Sequence, residues 1–148
     1  MRSSAKGFTL IELMIVVVVV ALLLTIAVPA YQDSVRSARR SDAMAALGDG
    51  QMRQEKFRSN CPRYAAGLVA PPGPAVCSVA AATFTMMLDA ESPDGFYTLS
   101  VQTADADGYT LRATGKNGQE TDQRGGLDCR FIEVNENGVY SPAACVKR

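Results

Sequence analysis

The sequence predicts an α+β protein in which a long N-terminal helix, first transmembrane and then amphipathic, packs on a four-stranded antiparallel sheet. Three observations support this fold class. Residues 8–30 are almost wholly apolar. Residues 31–60 are polar but keep apolar side chains at helical spacing. The second half of the chain alternates apolar and polar residues in short stretches that turn sequences separate.

The composition excludes several classes of function. The chain has 148 residues with 15 basic and 15 acidic side chains, and it contains neither His nor Trp. A net charge of zero gives no overall field that would attract nucleic acid or acidic lipid. Without His the chain lacks the commonest general base and metal ligand, and it has no nucleophile motif or phosphate-binding glycine loop. We expect one domain with no enzymatic activity, no cofactor and no metal.

The N-terminus is organised like a membrane anchor. Residues 1–7 form a short basic leader, and such charges favour holding an N-terminus in the cytoplasm. Residues 8–30, at about 1.5 Å per helical residue, match the roughly 30 Å hydrocarbon core of a bilayer. Pro29 lies near the end of this run and is expected to kink or loosen the turn before it.

Glu12 is the one ionisable side chain in the apolar run. A carboxylate inside lipid costs several kcal/mol and marks a functional residue by default. Cleavage after Gly7 would create a partner, because the free amine of Phe8 would be largely protonated at neutral pH. Glu12 could pair with that amine in its own chain or in a stacked neighbour. The alternatives are a solvated Glu12 without a role, and a signal peptide cut before Tyr31 whose apolar core Glu12 would interrupt.

Gly7, Phe8 and Glu12, followed by a long apolar run that ends at Pro29, resemble the class III signal of type IV pilins and pseudopilins. The resemblance implies that a prepilin peptidase cuts between Gly7 and Phe8 and methylates the new N-terminal Phe8. It also implies that Glu12 guides docking into the filament and that Pro29 kinks the helix.

The same resemblance implies a pilin fold with three segments. Residues 1–7 would be the leader peptide, residues 8–30 the transmembrane and later filament-core helix, and residues 31–148 the periplasmic globular domain. The subunit would cross the inner membrane once and then enter an extracellular pilus. Its implied partners are other pilin subunits, the prepilin peptidase, the inner-membrane assembly platform and, before assembly, the membrane. The implied roles are pilus assembly, twitching motility and adhesion; a type II secretion pseudopilin is the alternative.

The amphipathic part of the helix is predicted at 31–60 and should end where Pro62 follows. Gly48 and Gly50 weaken this part by about 1 kcal/mol each relative to alanine and predict a bend. Its expected apolar stripe consists of Tyr31, Val35, Ala38, Ala45, Met52 and Phe57, with Met44 and Leu47 beside it.

Arg36, Arg39 and Arg40 form a basic cluster in this helix. Such a cluster can bind DNA or another phosphate surface, as in a pilus-associated DNA- or surface-binding subunit. It can also be a solvated face that pairs with acids of neighbouring subunits. A platform that binds single strands requires aromatic residues between its cations, and none lies among these arginines. We therefore favour the solvated face and expect nucleic acid to be an unlikely partner.

The remaining chain is predicted as a loop at 61–82 and a sheet within 83–135. Period-two alternation and turn sequences place strands at 83–89, 96–103, 109–114 and 129–135, with a polar loop at 115–128. This pattern is typical of an antiparallel meander with one face on the helix. Acidic residues at two predicted turns lack the ordered spacing of a calcium loop. They are Asp89, Glu91, Asp94, Asp105 and Asp107.

Four Cys follow the apolar run. An even number behind a membrane-targeting N-terminus favours disulfides in an oxidising compartment, although three pairings are possible. Local pairing, Cys61 with Cys77 and Cys129 with Cys145, is the simplest, and each bond would contribute about 3 kcal/mol. Residues 129–145 also resemble the disulfide-bounded C-terminal region of small minor pilins of the PilE type. Zinc is disfavoured because no CxxC motif or His is present.

Overall fold

The computed structural model describes residues 7–68, 86 and 88–147. By their contacts the residues fall into two compact units, Met1–Val35 and Arg36–Arg148, which are described separately. One long helix, α1, spans Leu10–Arg58 and contributes to both units.

The part of α1 in the first unit has the length and composition needed to cross a membrane. Its most apolar window has a mean hydropathy of 3.1, and none of that window is buried within the protein. Pro29 lies inside the helix, which continues past it. Because proline has no N–H, one helical hydrogen bond is missing there. An apolar surface this large marks a contact with lipid or with other chains.

The second unit contains a sheet, a hairpin and a short helix in addition to the rest of α1. In chain order the elements are β1 Tyr97–Ala104, β2 Tyr109–Gly115, β3 Gln123–Arg124, β4 Leu127–Asp128, β5 Phe131–Asn135, β6 Tyr140–Ser141 and α2 Ala143–Val146. Strands β1, β2, β5 and β6, in that spatial order, form a four-stranded antiparallel sheet, and β3 pairs with β4 alone. The predicted fold class is confirmed.

The core of the second unit lies between α1 and one face of the sheet. The register places Ala113 of β2 opposite Leu99 of β1 and Ile132 of β5, and all three are buried. On the helix, a Cβ added at Gly50 would lie 2.7 Å from Cδ1 of Leu111. The glycine therefore lets the helix and the sheet approach each other closely.

The predicted apolar stripe of α1 is wrong in most of its members. Tyr31 and Met52 are 72% and 68% exposed. Of the predicted set only Leu47 and Phe57 are buried. The prediction was based on large apolar side chains. The face that packs on the sheet is a neighbouring one, whose small side chains let the sheet approach closely. The core-facing residues of the helix are Ala43, Ala46, Leu47, Gly50, Gln54 and Phe57.

Gly48 and Gly50 do not interrupt the helix, although the sequence predicts a bend there. The α-helix is continuous through both positions and ends at Arg58, close to the predicted end at 60. Packing on the sheet outweighs the poor helix propensity of the two glycines, because most helical stability in a protein comes from tertiary packing.

The strands differ from the prediction at both ends of the sheet. The sequence predicts a strand at 83–89, but Met86 and Leu88 lie outside the strands. Their backbone N–H groups donate to the carbonyls of Gly67 and Leu68. Residues 83–85 and 87 and most of the predicted 61–82 loop lie outside the described residues. The fourth place in the sheet belongs to Tyr140–Ser141, so the sheet extends beyond 135. A two-residue strand is too short to show alternation.

The predicted loop at 115–128 contains the hairpin of β3 and β4. Gly125 and Gly126 at its tip have φ angles of 58° and 82°. Positive φ at both central residues is what a two-residue hairpin turn with the correct twist requires. Glycine adopts it without steric cost.

Two buried polar side chains of α1 hold loops against the helix. Asp42 accepts hydrogen bonds from Oγ of Ser92 at 2.5 Å and from the N–H of Asp94 at 3.0 Å. The amide of Gln54 bonds to both backbone groups of Ala65, at 2.9 and 2.8 Å. Buried polar groups that are satisfied in this way determine where the loops lie.

Candidate functional site

The N-terminal motif starts α1 with a side-chain cap. The carbonyl of Thr9 accepts the N–H of Leu13 at 3.2 Å, and Oγ1 of Thr9 accepts the N–H of Glu12 at 3.2 Å. Thr-x-x-Glu is the pattern of a capping box, and a carboxylate in the first turn also interacts favourably with the helix dipole. The side chain of Thr9 thus caps the helix by accepting the backbone N–H of Glu12. The sequence analysis missed this role of Thr9, although the pattern is visible. Phe8 is 82% exposed.

The structure separates the three predicted arginines, and Arg40 is not available as a nucleic-acid contact. Arg40 is 4% exposed and Asp122 is 1% exposed. They form a bidentate ion pair with Nε–Oδ2 and Nη2–Oδ1 distances of 2.6 and 2.7 Å. The candidate is wrong because Arg40 lies on the buried side of α1, which no feature of the local sequence distinguishes. Arg40 joins the helix to the segment before β3.

Arg36 and Arg39 lie at the surface and contact neutral groups. Arg36 donates to the carbonyl of Thr121 at 3.4 Å and to its Oγ1 at 3.5 Å. Arg39 donates to the carbonyl of Asn117 at 3.4 Å, and its guanidinium lies 4.3 Å from the ring centroid of Phe96. Among the described residues no carboxylate neutralises either arginine. We call these two residues the basic face of α1.

Four other surface cations differ from the basic face because a carboxylate lies beside them. Four such ion pairs are Arg53–Asp49, Arg112–Glu133, Lys116–Glu91 and Arg130–Asp128. Charges that cancel locally attract a distant anion weakly, since salt screens what remains of their field.

The loop that the basic face contacts, residues 116–122, has a defined backbone. Asn117 has a φ of 52°, which Asn tolerates better than most residues, and Gly118 has a φ of 92°. A Cβ added at Gly118 would lie 3.2 Å from Nη1 of Arg39. The backbone N–H groups of Glu120 itself and of Gly118 hold the pKa of the Glu120 carboxyl below its usual value. The loop therefore keeps its shape against α1.

The C-terminal region is closed by a disulfide between Cys129 and Cys145, whose Cα atoms are 5.5 Å apart. Both residues are buried. Cys61 is also buried and disulfide-bonded. Its predicted partner, Cys77, lies outside the described residues.

In the described part of the chain no three metal-binding side chains lie together. Asp105, which was weighed as a calcium ligand, accepts the N–H groups of Asp107 and Gly108 at 2.8 and 2.9 Å. These backbone bonds lower the pKa of the Asp105 carboxyl, the one from Gly108 contributing most. Asp105 thus serves the turn between β1 and β2.

Comparisons with known proteins identify the class to which this arrangement belongs. Residues 2–28 match the family described as a prokaryotic N-terminal methylation motif. Residues 29–133 match the family described as "Type IV minor pilin ComP, DNA uptake sequence receptor". The helix, the sheet and the N-terminal motif define a type IV pilin, as the resemblance predicts. Within that class the chain belongs to the ComP minor pilin family.

Curated relatives share the N-terminal part of the chain. A fimbrial protein of Moraxella nonliquefaciens is 52% identical over 48 residues, which are 32% of this chain and 30% of the relative. The type IV major pilin protein PilE1 of Neisseria gonorrhoeae is 51% identical over 51 residues, 34% of this chain and 30% of the relative. The chain thus matches about 30% of the full length of each of these relatives.

One of the solved structures that match aligns with most of this chain. It is described as a high-resolution structure of a type IV pilin from Shewanella oneidensis, with a TM-score of 0.44 and 21% identity. The similarity covers 76% of this chain and 99% of that chain.

Proposed function

We propose that the chain is a minor subunit of a type IV pilus that captures DNA. In this proposal a prepilin peptidase cuts between Gly7 and Phe8 and methylates Phe8. The helix of residues 8–30 then moves from the inner membrane into the core of a filament that an assembly platform builds. The match of residues 29–133 to a family described as a DNA receptor supports the DNA partner.

The observation that carries the DNA proposal is the basic face of α1. Arg36 and Arg39 are one turn apart, so they lie on the same side of the helix. Both bond only to neutral groups among the described residues. Their positive charges therefore remain available to phosphate, and a cation that neutralises a phosphate releases a condensed counterion.

The sequence predicts nucleic acid to be an unlikely partner, whereas the basic face of α1 favours duplex DNA. The lack of interleaved aromatic residues argues against a platform for single strands. Duplex DNA is held mainly through its phosphates, which require cations, hydroxyls and backbone N–H groups rather than aromatic rings. Adhesion and twitching motility remain roles that the pilin class suggests.

DNA binding is tested with the full chain in detergent micelles and a short labelled duplex, by fluorescence anisotropy at several salt concentrations. We expect the double variant Arg36→Gln, Arg39→Gln to bind at least about tenfold more weakly at low salt. The slope of log affinity against log salt should fall by about 2, because two phosphate contacts are lost. Selection from a pool of random duplexes would then identify any preferred sequence.

The matched control is Arg53→Gln, Arg112→Gln, which removes the same charge from residues that face Asp49 and Glu133. The control should change the affinity by less than about twofold, because the two arginines are already neutralised. Equal losses in both variants, or no binding by the unmodified chain, would refute the DNA proposal.

Processing is tested by the intact mass of the native protein, measured without reduction. We expect a chain that starts at a methylated Phe8 and lacks two hydrogens for each disulfide. A start at Tyr31 would indicate a secreted domain, and an uncut leader would indicate a simple anchor. In a deletion strain, loss of protein secretion with intact pili would favour the type II secretion alternative.

A further inference from the structure

We propose that a groove between α1 and the C-terminal end of the domain binds a phosphate group. The groove, which we call the C-terminal groove, has a volume of about 450 Å³, within the range of pockets that hold small ligands. All charged residues that line it, among those described, are basic. Its polar lining consists of Ser37, Arg40, Ser41, Arg124 and Lys147.

The available positive charge in the groove comes from one wall. The charge of Arg40 is neutralised by the buried carboxylate of Asp122. Arg124 and Lys147 remain, and both are exposed on the side of the groove formed by β3 and the residues after α2. Two cations beside a partly enclosed space favour an anion, and they favour one with more than a single negative charge.

Arg124 is already positioned for such a ligand. Its Nη1 donates to the carbonyl of Ala144 at 3.0 Å and to the carbonyl of Lys147. Within the described part of the chain its Nε and Nη2 have no hydrogen-bond partner, so three of its five N–H donors are available. A guanidinium held in one orientation presents a planar pair of donors, which matches the spacing of phosphate oxygens.

The opposite wall adds two hydroxyl groups. Ser37 and Ser41 are four residues apart on α1, so their side chains lie one above the other on the same face. Neither hydroxyl has a hydrogen-bond partner among the described residues. A tetrahedral anion can accept hydrogen bonds from both walls at once, whereas a planar carboxylate would use fewer of these donors.

The position of the groove along α1 favours DNA as the source of the phosphate. Ser37 directly follows Arg36 of the basic face, so the groove and the basic face occupy the same two turns of α1. Consecutive residues of a helix point about 100° apart, so the groove lies on a neighbouring side of α1 from Arg36. A strand that passes from the basic face around the helix would bring a further phosphodiester to the groove. This part of the inference rests on the proposed DNA function, while the phosphate site itself stands on the groove.

The test uses the full chain in detergent micelles and inorganic phosphate, titrated by calorimetry with chloride as the reference anion. We expect saturable phosphate binding by the unmodified chain. The variant Ser37→Ala, Ser41→Ala should bind phosphate at least about tenfold more weakly, because two hydrogen bonds to a charged group are lost. Alanine at exposed helical positions preserves the fold, because its helix propensity is the highest. Arg124→Gln, Lys147→Gln should abolish binding, and the control Arg53→Gln, Arg112→Gln should leave it unchanged.

A second measurement decides the source. If the groove holds a DNA phosphate, Arg124→Gln, Lys147→Gln should lower the salt slope of DNA binding by about 1 to 2. An unchanged slope together with lost phosphate binding would overturn the DNA source and leave a site for a free anion. Phosphate binding that is absent, or equal in all variants, would overturn the site. If the unmodified chain binds no DNA, the proposed function fails, but the phosphate titration still decides the groove.

Discussion

At the scale of single residues, the buried ion pair of Arg40 and Asp122 joins distant parts of the domain. The two residues are 82 positions apart, and both side chains are almost fully buried. Nε2 of Gln119 lies 3.5 Å from the same carboxylate. Removal of one partner from a buried pair costs far more than the pair contributes in net stability, because the other charge stays buried.

We predict that Asp122→Asn lowers the free energy of unfolding by about 3–5 kcal/mol, because a neutral side chain would face a buried guanidinium. Urea unfolding with the disulfides intact measures the change. Asp128→Asn is the control, since the pair of Asp128 and Arg130 is half exposed and should contribute less than about 1 kcal/mol. Similar decreases in the free energy of unfolding of the two variants would show that the buried pair is no more important for stability than the half-exposed pair.

Burial also changes the acidity of tyrosines in the core. Desolvation raises the pKa of Tyr109 to about 12, and it raises the pKa of Tyr97 as well. Tyr109 is 2% exposed and meets the ring of Tyr64 edge to face at a centroid distance of 4.8 Å. The folded state therefore favours the neutral phenol.

We predict that the domain loses stability as the pH rises from about 10 to about 12. The raised pKa of Tyr109 stabilises the folded state fully below the unfolded value near 10, and this contribution disappears as the pH passes the folded value. The melting temperature of Tyr109→Phe should fall less over this range than that of the unmodified chain. Tyr31→Phe, at an exposed position, should behave like the unmodified chain. Parallel curves for all three would contradict the prediction.

At the scale of secondary-structure elements, the space around a glycine determines how its replacement changes the stability of the domain. A Cβ at Gly48 would meet nothing within 4 Å. A Cβ at Gly115, at the end of β2, would lie 2.6 Å from the backbone oxygen of Gln119. Backbone moves less easily than the end of a side chain, so the two positions should respond to alanine in opposite ways.

We predict that Gly48→Ala stabilises the domain by about 1 kcal/mol, since alanine is the better helix former. Gly115→Ala should destabilise it by about 1–3 kcal/mol, because the added methyl group overpacks the end of the strand. Chemical unfolding of both variants under one set of conditions gives the two signs. A loss of stability at Gly48 would mean that this glycine has a role beyond the helix.

At the scale of the whole molecule, the exposed apolar segment of α1 requires an environment that the single chain does not supply. In the proposed function, the other subunits of the filament provide this environment. Glu12 then has two separable roles. One is the capping-box pattern that its side chain completes with Thr9 at the start of the helix, and the other is the predicted docking into the filament.

We predict that Glu12→Ala is inserted and cleaved normally but is incorporated poorly into pili. Glu12→Gln separates the two roles, because glutamine also serves in a capping box but carries no charge. If both variants are incorporated poorly, docking depends on the negative charge of the Glu12 carboxylate. Immunoblots of sheared pili and membranes measure the distribution. Normal incorporation of both variants would refute the docking role of Glu12.

The sequence by itself determined several features that depend on neighbouring residues. The apolar run of 8–30, the N-terminal motif at Gly7 to Glu12 and the alternation in β1 and β2 are local patterns, and each has a direct structural meaning. The resemblance to type IV pilins rests on the same local motif and is confirmed by the family matches.

Only the tertiary structure decided which side of α1 is buried and which cations remain available. Arg36, Arg39 and Arg40 look alike in the sequence, yet only Arg40 meets a carboxylate in the core. The C-terminal groove combines residues 37–44 with residues 124–147, which no local pattern relates. The physical reason is that burial depends on which face of the helix lets the sheet approach closely, and the small residues Ala43, Ala46 and Gly50 determine that face.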